Sequence, residues 1–162
     1  MTDHALPHPR RALGRHTVLI SRRLLIAAGP IEDFAPEQVA AALARGLLAG
    51  GLPEPDVLAV DAEHDDAEDL HELLQVSGFD RRMRDARAVL VAVARLDETT
   101  LAASPAFEIA TRARQAGVPA YAITAANGLD AFDARILDLQ LVVEARGSRG
   151  LAAAARRLAD VV

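Results

Sequence analysis

Short, mainly apolar runs alternate along this chain with longer stretches in which apolar residues recur every three or four positions. A run that is apolar throughout is typical of a strand buried on both faces of a parallel sheet. The runs therefore predict five strands, at Leu24–Ala28, Val57–Val60, Ala88–Val93, Ala120–Ile123 and Leu139–Val143.

The stretches between these strands carry helix start and stop signals. Pro36 suits the first position of a helix, and Gly50 follows the last apolar position of that helix, which is where proline and glycine are enriched. Ser104 before Pro105 is a second N-terminal signal. The sequence predicts helices that begin near Pro36, Asp66, Ser104 and Ser148, and a short turn or helix over Phe79–Asp85.

Strands that alternate with helices of this length indicate an α/β fold. We predict a single doubly wound, Rossmann-like domain with a mainly parallel five-stranded sheet and helices on both faces. Right-handed crossovers would place the loops after the strands along one edge, where ligands bind in such folds. The domain is assigned to residues 23–162, and residues 1–22 are predicted to be a basic, disordered arm.

Charge and composition narrow the range of partners and locations that the sequence allows. The 162-residue chain has a formal net charge of −5, yet residues 1–23 hold five arginines and one acid. Such an arm is either a solvated tail or a segment that contacts an acidic partner. Because the arm has no interleaved aromatic residues, we do not expect it to bind nucleic acid. The chain has no cysteine and no apolar run near the ~20 residues of a membrane span. We expect a cytoplasmic protein without membrane contact.

A polar loop after the third predicted strand holds the candidate site. Arg95, Asp97, Thr99 and Thr100 fall in this loop, and the helix from Ser104 would direct its free amide groups at the same space. An arginine, a carboxylate and two hydroxyls there suit a phosphate group or a magnesium-bound nucleotide. The alternative is a surface turn in which Asp97 and Thr99 satisfy local backbone groups.

Motifs around this loop resemble those of the bacterial glycerate kinases, which phosphorylate glycerate with ATP. The motifs in step with that family's pattern are Gly78-Phe79-Asp80, Arg95-Leu96-Asp97, Thr100-Leu101 and Gly117-Val118-Pro119. The helix sequence over Val39–Leu47 is similar to the family's first helix, and the resemblance covers roughly residues 24–126. It implies ATP and Mg²⁺ as cofactors and glycerate as the phosphate acceptor.

The resemblance also implies roles for the residues of the loop. Asp97 and Arg95 become the candidate catalytic residues, and Thr99, Thr100 and Ser104 become candidates for binding the cofactor. No residue is assigned to a metal.

The chain departs from the family's pattern at positions that matter for catalysis. Ala92-Val93-Ala94 stands in place of Gly-Glu-Gly, Ala103-Ser104 stands in place of Gly-Lys, and the chain contains no lysine. The resemblance also implies that the second domain, which these kinases carry as an insertion, is missing from this chain at the acidic run Asp61–Asp66. Because phosphoryl transfer depends on positioning and on charge neutralisation, we predict a degenerate, weakly catalytic or non-catalytic relative, and enzymatic activity stays open.

Two alternatives stay open. The residual domain would serve instead as a non-enzymatic interaction or oligomerisation module, because losing a domain uncovers apolar surface. The partner of such a module would be a second copy of the chain. The other alternative is an active kinase that is completed by a separately encoded second domain, and a small phosphorylated ligand is compatible with either. The acidic run Asp61–Asp69 either binds a divalent cation with His64 or is a solvated loop, and His71 is expected to be exposed.

Overall fold

A computed structural model describes residues 22–61, 67–98 and 104–162, and these residues form one parallel sheet flanked by helices. The strands are β1 (Leu24–Ala28), β2 (Asp56–Ala59), β3 (Ala88–Leu96), β4 (Ala120–Asn127) and β5 (Leu139–Glu144). The helices are α1 (Pro36–Ala49), α2 (Ala67–Val76), α3 (Phe79–Asp85), α4 (Pro105–Ala116), α5 (Ala131–Ile136) and α6 (Gly147–Ala159).

The sheet has the order β2-β1-β3-β4-β5, and all of its paired strands are parallel. The fold prediction is therefore confirmed. The strand order reverses direction between β1 and β3, so the crevice outside the carboxyl ends of these two strands is the expected ligand position.

Alternate residues of the strands face two separate apolar layers. One layer lies between the sheet and helices α1 and α6, and it includes Ile26, Leu43, Leu90 and Leu151. The other lies between the sheet and helices α2, α3 and α4, and it includes Leu25, Leu74, Phe79, Val89 and Ile109. All nine of these side chains are fully buried, so the sheet is covered on both faces, as predicted.

Two strands extend three or more residues beyond their predicted ends, and β5 extends by one, to Glu144. β3 continues past Val93 to Leu96, and β4 continues past Ile123 to Asn127. The two extensions pair with each other, with Arg95 opposite Ala126 and Leu96 opposite Asn127. Apart from Leu96, the residues of these extensions are polar or small, so their sequence does not predict a strand. They are strand residues because each extension forms hydrogen bonds with the other.

The helix predictions agree with the structure except at one element. α1 begins at Pro36 and α4 begins at Pro105, as predicted. The sequence did not predict α5, which buries none of its residues. The predicted cap Asp66, His64 and residues 1–21 lie outside the described residues, so the division into an arm and a domain stays a prediction. None of the described helices has the length and apolar composition that a membrane crossing requires.

Candidate functional site

The carboxyl edge of the sheet is stepped. β1 ends at Ala28, which lies opposite Ala92, whereas β3 continues to Leu96. The chain leaves β1 through Gly29, whose N–H donates a 2.8 Å hydrogen bond to the Ala92 carbonyl. β3 and β4 therefore project beyond β1 and form one wall of the crevice at the switch point.

Arg95 and Asp97 lie on this projecting wall. Arg95 is a residue of β3 rather than of the loop that follows, which corrects the predicted strand end. Its Nε atom lies 3.3 Å from Oδ2 of Asp97, and the two side chains are 70% and 21% exposed. An exposed pair of this kind contributes little to stability. Arg95 thus keeps most of its guanidinium in solvent, next to a carboxylate that is mostly covered.

The remaining predicted residues are Thr99, Thr100 and Ser104. Thr99 and Thr100 lie outside the described residues. Ser104 is the N-cap of α4, as predicted, and its hydroxyl accepts a 3.2 Å hydrogen bond from the Phe107 N–H. The Ser104 carbonyl accepts from Phe107 and Glu108 as well. Because Pro105 has no N–H, this first turn offers an anion fewer free amides than the sequence suggested.

A glycine brings the chain after β4 close to the end of β3. The Gly128 N–H donates a 2.6 Å hydrogen bond to the Leu96 carbonyl. A Cβ at position 128 would lie only 3.1 Å from the Cβ of Asp97, a distance tighter than ordinary van der Waals contact. The absence of a side chain therefore allows the β4–α5 turn to approach Asp97.

This approach assembles three carboxylates, which we call the acidic cluster. One oxygen from each of Glu98, Asp130 and Asp133 lies within 4.8 Å of the other two. Asp130 is the N-cap of α5, and its Oδ1 accepts from the N–H groups of Phe132 and Asp133 at 2.7 and 2.8 Å. The cap fixes the Asp130 carboxylate beside Asp133.

The acidic cluster fits a divalent cation of the Mg²⁺ type in its donor chemistry. Mg²⁺ prefers carboxylate oxygens, binds one or two of them and keeps several waters. Oδ2 of Asp133 is buried and accepts no hydrogen bond from a described residue, an arrangement that costs free energy unless a cation or water meets the oxygen. Glu98, Asp130 and Asp133 would hold the ion, and the ion would neutralise phosphate oxygens.

Sequence reasoning missed all three members of the acidic cluster. Glu98 directly follows the predicted residue Asp97, but Asp130 and Asp133 lie more than thirty positions further along the chain. The available signal was Asp130 as a helix cap shortly after a strand, since loops after parallel strands share one edge. That signal was hidden because neither the extension of β4 nor α5 was predicted.

The opposite wall of the crevice carries a carboxylate. Glu32, in the loop after β1, adopts a left-handed backbone conformation with φ of 53°. Its Oε2 accepts a 2.9 Å hydrogen bond from the Gly147 N–H, the first residue of α6. Glu32 therefore places a negative charge on this side of the crevice and accepts an amide N–H at the start of α6.

Comparisons with known proteins relate this chain to one protein family and to a distant structure. No curated protein matches the sequence. A crystal structure of a protein from Burkholderia pseudomallei K96243, described as pilus assembly-related, is 18% identical, with a TM-score of 0.48 over 86% of this chain and 90% of the other. That likeness is too distant to bear on function. The model of the glycerate kinase family matches residues 28–157, which is most of the sequence, and this chain therefore belongs to the glycerate kinase family.

Proposed function

We propose that this protein binds a magnesium nucleotide at the carboxyl edge of its sheet but does not by itself transfer phosphate to glycerate. The observation that carries the proposal is the charge of that edge. Four carboxylates, from Asp97 and the acidic cluster, lie on the described wall together with two arginines, Arg95 and Arg146, whose Nε donates to the Ala125 carbonyl of β4. A triphosphate is strongly anionic, so it reaches this edge only with a divalent cation between it and the acids.

The main chain near the crevice supports the non-catalytic part of the proposal. Ala92 and Val93, which stand in place of the family's Gly-Glu, are residues of β3. Ala92 is paired on both sides, with Ala28 and with Ile123, and Val93 lies opposite Thr124. Their backbone groups are committed to the sheet and do not form a flexible cradle around phosphate oxygens.

Arg95 is the residue suited to the phosphates. Arginine binds phosphate through two parallel N–H donors, but its rigid, delocalised guanidinium is a poor substitute for the compact ammonium group that a lysine carries on a flexible stem. Removing one stabilising donor from a transition state costs ~10²–10³ in rate. Because the chain has no lysine and has Ala92-Val93-Ala94 where the family has Gly-Glu-Gly, we expect turnover below detection.

The first prediction concerns Mg²⁺-dependent binding. Calorimetric titration should detect ATP binding with a dissociation constant in the millimolar range when Mg²⁺ is present. It should detect no ATP binding when a chelator removes the Mg²⁺. Asp133→Asn should weaken binding of Mg²⁺ alone at least about tenfold, because the amide supplies no negative charge to the ion. Asp160→Asn, an exposed aspartate at the end of α6, is the matched control and should bind like the wild type.

The same preparations should release no ADP in a coupled assay with glycerate and ATP. Sustained glycerate-dependent turnover by the purified chain would contradict the non-catalytic assignment. ATP binding that is equal with and without Mg²⁺ would overturn the role of the acidic cluster, and no binding at millimolar nucleotide would end the proposal.

An oligomerisation module is a second candidate function, and the free edge of the sheet favours it. β5 is the last strand in the sheet order, and no other described strand pairs with its outer edge. Leu141 on β5 and Phe132 and Ile136 on α5 are exposed, Phe132 to 67%. An unpaired strand beside apolar side chains is a template for pairing with another chain.

The second prediction tests this edge. Light scattering at several concentrations should show dimers that dissociate on dilution, and Leu141→Arg should give monomers, because the charge would be buried in the interface. Val76→Arg, at another exposed apolar position, should leave the dimer intact. A wild-type chain that stays monomeric at every concentration would exclude the module.

A further inference from the structure

A second charged site lies at the opposite end of the sheet, where β1 and β2 begin. A cavity of about 280 Å³ is lined there by Arg22, Arg23, Asp56, Arg81, Arg82 and Asp85, with the apolar residues Leu24 and Ala86. We call it the amino-edge pocket. Four arginines face two aspartates in it, which leaves a net charge of +2 in a chain whose overall charge is −5.

One ion pair forms a rigid part of the pocket wall. Nε and Nη2 of Arg82 each donate a 2.7 Å hydrogen bond to a different carboxylate oxygen of Asp56. Nη2 also donates to the Val57 carbonyl at 2.8 Å. The hydrogen bond from Arg82 lowers the pKa of Asp56 below its ordinary value, and the charge of Arg23 acts in the same direction. Arg82 and Asp56 therefore neutralise each other and tie α3 to β2.

The remaining cations have no such partner. Among the described residues, the guanidinium groups of Arg22, Arg23 and Arg81 form no hydrogen bond or ion pair. All three residues are exposed. Asp85 supplies the other acid of the pocket, so the three guanidiniums retain two uncompensated positive charges.

We propose that the amino-edge pocket binds the dianionic phosphate group of a small phosphorylated molecule. Arginine pairs with phosphate through two donors in a fixed plane, and several arginines around one concavity provide such pairs from different directions. A net charge of +2 matches a phosphomonoester, which carries ~−1.5 to −2 at neutral pH. The cavity volume lies at the lower end of the range for small-molecule pockets, so the cavity has room for a phosphate group and a small attached group.

This site is separate from the proposed nucleotide site. Arg22 and Arg23 precede β1, Asp56 begins β2, and Arg81 lies on α3, so all four belong to the amino ends of the strands. The acidic cluster belongs to the carboxyl ends of β3 and β4. Phosphate binding in the amino-edge pocket therefore does not depend on Mg²⁺ or on Asp133.

The third prediction tests the pocket with inorganic phosphate and glycerol phosphate as probes. In titrations monitored by calorimetry and amide NMR shifts, both should bind saturably, while chloride at matched ionic strength should not. Arg81→Ala should weaken binding at least about tenfold, as the loss of one charge-assisted contact does. Arg84→Ala removes an exposed arginine from the same helix without altering the pocket lining, so it should bind like the wild type.

Several results would overturn the proposal. Equal affinities for the wild type, Arg81→Ala and Arg84→Ala would show general attraction to a basic surface rather than a built site. Tighter binding of a short oligonucleotide than of glycerol phosphate would assign the pocket to a polymer instead of a small molecule. Loss of phosphate binding in Asp133→Asn, or a need for Mg²⁺, would place the phosphate at the carboxyl edge.

Discussion

Gly46→Ala should destabilise the folded domain by about 2 kcal/mol, although alanine is intrinsically the better helix former by ~1 kcal/mol. A Cβ at position 46 would lie 2.1 Å from the carbonyl oxygen of Ala152 and 2.8 Å from the Cβ of Ala155. The nearest atom is main chain, which cannot rotate away as a side chain can. The two helices must move apart instead, and overpacking of this kind costs ~1–3 kcal/mol.

The cost follows from how α1 meets α6. The contact is built from glycine and alanine, with Ala154 and Ala155 of α6 fully buried, so the two backbones approach closely. Separating the helices would also loosen Leu43 and Leu151 in the apolar layer beneath them. Chemical denaturation with fits of the unfolding free energy measures the effect, and Gly46→Val should be the more damaging variant.

Gly150→Ala is the matched control, because Gly150 is also a helix residue and a Cβ there meets no atom within 4 Å. This substitution should be neutral or should stabilise the protein by up to ~1 kcal/mol through helix propensity alone. If Gly46→Ala were as stable as the wild type, α1 and α6 would not pack as closely as described.

The parts of the fold that the sequence predicts well are those whose signal is local. β1 is apolar throughout and bounded by Arg23 and Gly29, and the structure gives it the predicted limits Leu24–Ala28. α1 has proline at its first residue, and α4 has a serine cap that forms the expected hydrogen bond. In each case the residues that define the element also stabilise it.

The parts that escaped prediction depend on neighbours in space. Arg95 and Leu96 are strand residues because β4 extends beside them, and nothing in their own sequence indicates this. In the sequence Gly46 is indistinguishable from an ordinary helix glycine, because what makes it necessary is the close approach of Ala152 in the folded chain. Asp133 becomes part of a candidate metal site because Gly128 permits a close turn. The alternation of strands and helices predicted the fold, and the crossover rule predicted the edge of the sheet on which the candidate site lies. Neither predicted the acids that assemble there.

Arg112→Met should destabilise the protein by about 2 kcal/mol, because this arginine connects three helices. Its side chain is 13% exposed and donates to Glu108 at 2.7 Å and to Asp80 at 3.1 Å. Burial by itself would lower the pKa of Arg112, but the hydrogen bonds with Glu108 and Asp80 outweigh it and the pKa is raised. The folded state thus stabilises the charged guanidinium, and hydrogen bonds to charged groups contribute ~1.5–3 kcal/mol.

A third contact of Arg112 reaches α2. Its Nη2 atom lies 3.0 Å from Nδ1 of His71, an exposed residue, as the sequence predicted. Since a guanidinium only donates, Nδ1 of His71 is the acceptor in this contact. Removing Arg112 therefore frees α2, α3 and α4 from a common anchor and leaves two acids without their cation.

A double-mutant cycle of Arg112→Met with Asp80→Asn measures the link between α4 and α3. We expect a coupling energy of at least ~0.5 kcal/mol, as for residues that share one ion-pair network. Arg114→Met is the control on the same helix: Arg114 is exposed and donates to the Ile136 carbonyl, so its loss should change the unfolding free energy by less than ~1 kcal/mol. Equal effects at positions 112 and 114 would mean that Arg112 contributes as an ordinary surface charge. A zero coupling would mean that α3 and α4 are held together by Met83 and their other apolar contacts, because the ion pair would then add nothing to that packing.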